Sequence, residues 1–236
     1  MLALDHLAIW TARRDGLADR LAELTGFPVL DGFFPDGRRV ARGVRFAGGA
    51  FVDLHQVGPG EQGGQVFLGL RGEIEAAERL AAREGWRVRS GRWREASDGS
   101  PWSMLTFRRD HGVLNRIFVI DYGPRPEAWG SPVFDQPLYD ARNAPAAGAR
   151  LRRVWFSTPD SEASGRALEA LGFARSGDVE SAFSPFHGRL YRGAAGDLVV
   201  SAGDTDALVR LDLTGPGPPL CEPFGEQLNL VIGETP

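Results

Sequence analysis

The chain opens on an apolar run interrupted by one histidine, Leu2-Ala3-Leu4-Asp5-His6-Leu7-Ala8-Ile9-Trp10-Thr11, and this pattern predicts a buried first strand. Strict alternation puts Leu4, His6 and Ala8 on one face and Asp5, Leu7 and Ile9 on the other. Asp15-Gly16 opens a helix whose Leu17, Leu21 and Leu24 form one stripe, and Gly26 closes it. Strands are predicted at 27–30, 40–46 and 50–55, with a loop at 33–39 and a tight turn at Gly48-Gly49. The result is one βαβββ unit.

The pattern then repeats. A strand at 65–70 leads to a helix with Ile74, Ala77, Leu80 and Ala81 on one face, which stops at Gly85. Strands follow at 86–89, 103–107 and 115–121, with a turn at Asp98-Gly99. The helix–strand joins Gly26-Phe27 and Gly85-Trp86 are alike and lie 85 − 26 = 59 residues apart. A third copy has a strand at 151–156, a helix at 161–171 and the join Gly172-Phe173. Its strands continue at 173–179, 188–192 and 198–201. Residues 207–213 begin a fourth copy that lacks a helix, and a last strand is predicted at 227–232. Between copies two and three, residues 124–148 hold five prolines and little apolar periodicity, which predicts a linker or a strap across the surface. Self-similarity of this kind reports architecture.

Composition narrows the classes. With 236 residues the chain can form one large domain or two small ones. Its 42% hydrophobic and 25% charged residues are ordinary for a soluble globular protein. The net charge of −4 argues against nucleic acid as a partner. All 27 basic residues are Arg, which beside 31 Gly reads as coding bias. The single Cys221 precludes an intrachain disulfide and suits a reducing compartment. The N-terminus shows no basic segment followed by an apolar core, and no apolar run approaches the ~18 residues of a membrane helix. The expectation is a cytoplasmic protein with neither membrane nor nucleic acid as a partner.

The paired βαβββ units opening on Leu4-Asp5-His6-Leu7-Ala8-Ile9 resemble the vicinal oxygen chelate superfamily, which includes glyoxalase I, the extradiol dioxygenases and the fosfomycin- and bleomycin-resistance proteins. The glyoxalase-like branch fits best. Residues 50–54 match its strand ending in an acidic residue, and Arg92 through Asp98-Gly99 to Trp102, then 117–121, resemble its second half. The resemblance covers about residues 2–122 well and the remainder only as a degenerate third copy. It implies an α+β fold in which tandem units curve a mixed sheet around a cleft that holds a divalent metal. On this reading residues 1–123 form the paired domain, 124–148 the strap, and 149–236 a third module with truncated C-terminal strands.

The resemblance also implies a site. Adding 59 to His6 gives Gln65, an accepted ligand type at that position, and aligning strand ends sets Asp121 opposite Asp53. His6, Asp53, Gln65 and Asp121 are thus expected to hold one divalent ion such as Zn, Ni, Mn, Fe or Mg, a choice the donors do not settle. The ion would act as a Lewis acid on a substrate's oxygen pair, with Asp121 or His55 moving the proton, as in a lyase or isomerase of the glyoxalase type. Trp10, Arg92 and Trp102 are candidate substrate contacts.

Plainer readings stand beside each of these. Asp53 is shorter than the family's usual Glu. Asp121 and His55 also suit a solvated strand end, and Gln65 a loop. Arg87, Arg89, Arg92 and Arg94 read as a solvated face, and Trp10, Trp93 and Trp102 also suit a core. The His, His, Glu set of the extradiol enzymes is not matched. In the third unit, adding 146 to His6 and Asp53 gives Arg152 and Val199, which are no metal site. The alternative function is therefore metal-free binding of a small molecule, as in the drug-sequestering relatives. A purely structural role is a third. With two full units present, the first cleft should form within one chain, and a homodimer stays open.

Overall fold

A computed structural model of the chain describes residues 2–34, 37–92, 102–108, 112–122, 137–181, 187–215 and 219–233. The first half runs β1 (Ala3–Thr11), α1 (Arg14–Thr25), β2 (Leu30–Phe33), β3 (Arg39–Arg45) and β4 (Phe51–Gln56). It repeats as β5 (Gln65–Arg71), α2 (Ile74–Arg83), β6 (Arg87–Gly91), β7 (Ser103–Arg108) and β8 (Ile117–Asp121). These strands make one eight-stranded sheet in the order β2-β3-β4-β1-β5-β8-β7-β6. The two units meet at an antiparallel β1–β5 pair, and each first strand is parallel to its own unit's last, β1 to β4 and β5 to β8.

The second half runs β9 (Arg150–Thr158), α3 (Ser161–Ala170), β10 (Ala174–Glu180), β11 (His187–Arg192) and β12 (Asp197–Ala202), then β13 (Ala207–Thr214), β14 (Leu220–Phe224) and β15 (Leu228–Ile232). Its seven-stranded sheet, β10-β11-β12-β9-β13-β15-β14, repeats the first arrangement with one helix and one edge strand fewer among the described residues. The helix expected from the Leu17, Leu21 and Leu24 stripe is present. Leu17 and Leu21 are buried, and Gly26 closes α1 at φ 73° with its N–H on the Ala22 carbonyl.

Most strand boundaries shift by a residue or two from the sequence pattern, and prolines account for the start of β2 and for the unpredicted β14. Residues 27–29 stay outside β2, which starts at Leu30; Pro28 has no N–H to give to a ladder. The strand β14 was hidden by Pro219 and Pro223, and it lies at a sheet edge, where a proline is tolerated. The turn expected at Asp98-Gly99 lies outside the described residues.

One continuous core joins the halves. Leu4, Leu7 and Ile9 of β1 and Val66, Leu68 and Leu70 of β5 belong to the same cluster as Val154, Phe156, Leu198 and Leu211 of the second sheet. Each sheet therefore turns its helix-side face into the shared core, and its other face is left for a site.

Candidate functional site

The first cleft is built on β1, and a bulge there decides which side chains reach it. The register runs Leu4↔Leu70 and then His6↔Gly69, so Asp5 is an extra residue with no partner on β5. This corrects the strict alternation expected above. Leu4 joins Leu7 and Ile9 in the helix-side core. Asp5 instead turns beside His6, and the His6 Nδ1–H donates to Asp5 Oδ2 at 2.8 Å. A bulge re-aims one side chain without breaking the strand. Gly69 makes room for the imidazole, since a Cβ there would stand 2.8 Å from His6 Nδ1 and Cε1.

His6 is 2% exposed and lies against aromatic rings. It stacks on Phe51 at 4.6 Å and meets the edge of Phe118 at 5.2 Å. The phenol of Tyr122 donates to Asp5 Oδ2 at 2.8 Å. Burial pushes the Asp5 carboxyl up, but the His6 hydrogen bond and charge, Tyr122 and Arg71 outweigh it and hold the group below the usual carboxylate range. Asp5 is therefore an acceptor only, which fixes Nδ1 as the protonated nitrogen of His6.

A second polar cluster lies two residues along. Asp53 sits opposite Ala8 on β4 and is 3% exposed. Its Oδ2 accepts from the Tyr139 phenol at 3.0 Å and faces His55 Nε2 at 3.3 Å. Its Oδ1 is buried with no hydrogen-bond partner among the described residues. Burial raises the Asp53 pKa, yet His55, His6 and Tyr139 together bring it below the ordinary value. Burial lowers His55, and Asp53 and the Val40 backbone more than reverse that, so the imidazole titrates above its ordinary value. Burial and the adjacent carboxylates push both Tyr122 and Tyr139 well up, so both phenols stay protonated donors. Trp10 stacks on His55 at 4.4 Å and meets Phe67 edge-on at 5.5 Å.

Tyr139 comes from the segment predicted as a surface strap. Its described part dips into the cleft at Leu138 and Tyr139, 0% and 8% exposed, and runs along the surface over residues 142–148. Arg45 Nε donates to the Leu138 carbonyl at 3.0 Å, and its guanidinium lies 4.6 Å above the Phe51 ring. Gly32 clears the path, because a Cβ there would stand 2.6 Å from the Tyr139 ring.

The structure brings together only part of the expected site. His6, Asp53, His55 and Trp10 share the concave face. Trp102 borders it, 5.3 Å from the Tyr139 ring. Gln65 pairs with Trp10, four residues along β5 from the Gly69 that faces His6, or ~13 Å away. Asp121 does not join them. Ile117 and Val119 lie in the helix-side core and Phe118 and Ile120 in the concave cluster, so alternation gives the cleft Tyr122 and not Asp121.

Arg92 is engaged by Glu78 at 2.8 Å and Glu75 at 3.4 Å, both on α2. Arg87 and Arg89 are exposed, while Trp93 and Arg94 lie outside the described residues. Asp5, Tyr122 and Tyr139 were missed. Tyr122 was reachable by alternation from Ile120, but a bulge residue and a strap residue carry no periodic signal.

The donors present do not fit a divalent ion as the resemblance implied. Among the described residues no three His, Cys, Asp or Glu side chains are arranged to hold a metal. Asp5 and Asp53 are each committed to a phenol and an imidazole, which leaves Asp53 Oδ1 as the carboxylate oxygen of this pair that is buried without a partner among the described residues.

No protein-family model matches the sequence, and no curated protein matches it. Solved structures match in fold. A hypothetical protein from Staphylococcus aureus superposes with a TM-score of 0.66 at 10% identity, over 98% of both chains. A catechol 2,3-dioxygenase matches at TM-score 0.61 and 16% identity, over 99% of this chain and 88% of that one. The homoprotocatechuate 2,3-dioxygenase of Arthrobacter globiformis matches at 0.59 and 14%, over 98% and 80%. The chain thus has the vicinal oxygen chelate fold over its whole length, an α+β arrangement of βαβββ units in two mixed sheets. Among the described residues no helix is long and apolar enough to cross a membrane.

Proposed function

We propose that the concave face of the first sheet binds a small molecule without a divalent metal. The observation that carries this reading is the separation of the four expected donors. His6 and Asp53 share the face, Gln65 lies far along β5, and Asp121 belongs to the helix-side parity. The fold permits either function, since sites and not folds carry activity. The residues that do converge suit a planar ligand. The stacked Trp10–His55 pair offers a flat wall, Phe67 closes one side, and Asp53 Oδ1 accepts from a hydroxyl or amine. Asp53 also orients His55, so a ligand proton can be taken up there.

The test joins metal analysis to ligand screening. Protein purified without chelator should carry well under one divalent ion per chain. Planar molecules with a hydroxyl or amine donor should raise Tm saturably, and Trp10→Ala should abolish the shift. About one tightly held ion per chain, lost in His6→Ala, would overturn this reading and restore the metal-dependent lyase or isomerase.

A further inference from the structure

The second sheet repeats the frame of the first cleft with different chemistry in it. Both sheets carry the same bulge. On β9 the register passes from Asp212↔Arg153 to Leu213↔Leu151, as on β1 it passes from Gly69↔His6 to Leu70↔Leu4. Arg153 therefore occupies the position of His6, and not Arg152 as the sequence offset suggested. Across the strands, Asp212 replaces Gly69 and Asp197 replaces Phe51. Trp155 stands where Ala8 does.

Most of this group is satisfied internally. Asp212 is fully buried; its Oδ2 accepts from Trp155 Nε1 at 2.8 Å and its Oδ1 from Arg210 Nε at 2.5 Å. Arg210 also donates to Ser181 Oγ and lies 4.8 Å over the Trp155 ring. Arg153 is the exception. It is 8% exposed, and its Nε is buried with no hydrogen-bond partner among the described residues. Burial lowers its pKa and Arg152 adds to that, while Asp212 and Asp197 oppose it. A buried guanidinium N–H left without an acceptor is costly, and a fold keeps one where something else supplies the oxygen.

We propose that the concave face of the second sheet is a binding site for a small organic carboxylate, held by the Arg153 guanidinium. The geometry of a guanidinium fork matches the two oxygens of a carboxylate. A single negative charge suits the surroundings: Arg152 and Arg210 add to the positive field, and Asp197 and Asp212 subtract from it. This site is separate from the first cleft and does not depend on the function proposed there.

The experiment titrates benzoate, and its neutral isostere benzamide, into the full chain by calorimetry. Benzoate should bind one per chain at this site, and benzamide, whose N–H donor can serve only the first cleft, should show no binding that survives Trp10→Ala. Arg153→Gln should weaken benzoate by about tenfold or more, the loss expected for a charge-assisted bond. Arg153→Lys keeps the charge without the fork and should bind with intermediate affinity. Trp10→Ala, on the first cleft, should leave benzoate affinity unchanged. Benzamide binding as tight as benzoate in Trp10→Ala, unchanged benzoate affinity in Arg153→Gln, loss of benzoate in Trp10→Ala or no benzoate binding at all would overturn the proposal. If Arg153→Gln does not fold, the Arg153→Lys and benzamide comparisons decide it.

Discussion

His6 shows how one backbone irregularity sets the chemistry of a cleft. Without the bulge, Asp5 would point into the helix-side core, and its carboxylate would meet Leu7 and Ile9. With it, Asp5 and His6 form a buried pair that Tyr122 completes. The histidine was legible as a cleft residue because it broke an apolar strand. The bulge was not, since an extra residue leaves no mark on composition or period. Gly69→Ala tests the fit. Its Cβ would sit 2.8 Å from the His6 ring and 2.9 Å from Phe118 Cζ, and the expected cost is about 1–3 kcal/mol in urea unfolding. In a His6→Ala background the same change should cost less, because half of the clash is gone.

The neighbouring dyad predicts a pH dependence. The folded pKa of His55 is raised above its unfolded value, so its contribution is fully present below the unfolded pKa, near 6.5. That contribution is lost as pH rises through the raised folded value. Asp53 behaves oppositely: its lowered folded pKa gives stability that disappears as pH falls through that value. His55→Gln should flatten the alkaline-side loss in a chemical-denaturation profile and leave the acid-side loss of the other carboxylates in place.

At the scale of elements, the strap and β8 carry what the sequence pattern concealed. Proline-rich segments read as surface linkers because they lack periodicity, yet Leu138 and Tyr139 are core residues of the cleft. Tertiary contact alone places them, through Arg45 and the gap above Gly32. Tyr139→Phe keeps the ring against Phe51 and Trp102 and removes only the donor to Asp53. The expected loss is about 1.5–3 kcal/mol, read by urea unfolding, because a buried carboxylate loses a charged hydrogen bond. On β8 the error was one of parity. The acidic strand end drew attention to Asp121, but alternation from Phe118 and Ile120 already selected Tyr122.

Across the whole molecule, the repeats were legible because joins such as Gly26-Phe27 and Gly172-Phe173 recur with each helix. The truncated last unit was legible in its strands at 207–213 and 227–232, but β14 between them was not, because Pro219 and Pro223 break its pattern. Nor does any local pattern reveal what fastens the halves. Asp206 accepts from the Gly112 N–H at 3.0 Å and Asn115 Nδ2 at 2.8 Å in the first half, and from Thr158 Oγ1 at 2.6 Å in the second. Burial pushes Asp206 up, and these donors more than offset it, leaving its pKa lowered. Asp206→Ala should cost about 2–4 kcal/mol in urea unfolding. It should also remove that residue's share of the stability lost as the wild type is acidified below the ordinary carboxylate range.

Tyr139 has a consequence for any affinity measured at the first cleft. Its phenol is a donor on a planar ring, tethered to the chain and already seated on Asp53. A ligand seated on Oδ1 leaves the Tyr139 phenol in place on Oδ2, whereas a hydroxyl aromatic that reaches for Oδ2 competes with a rival that never dilutes away. The measured Kd is then the intrinsic one divided by the fraction of time the tethered phenol is displaced. Tyr139→Phe, which destabilises the empty protein, should for the same reason bind such molecules more tightly.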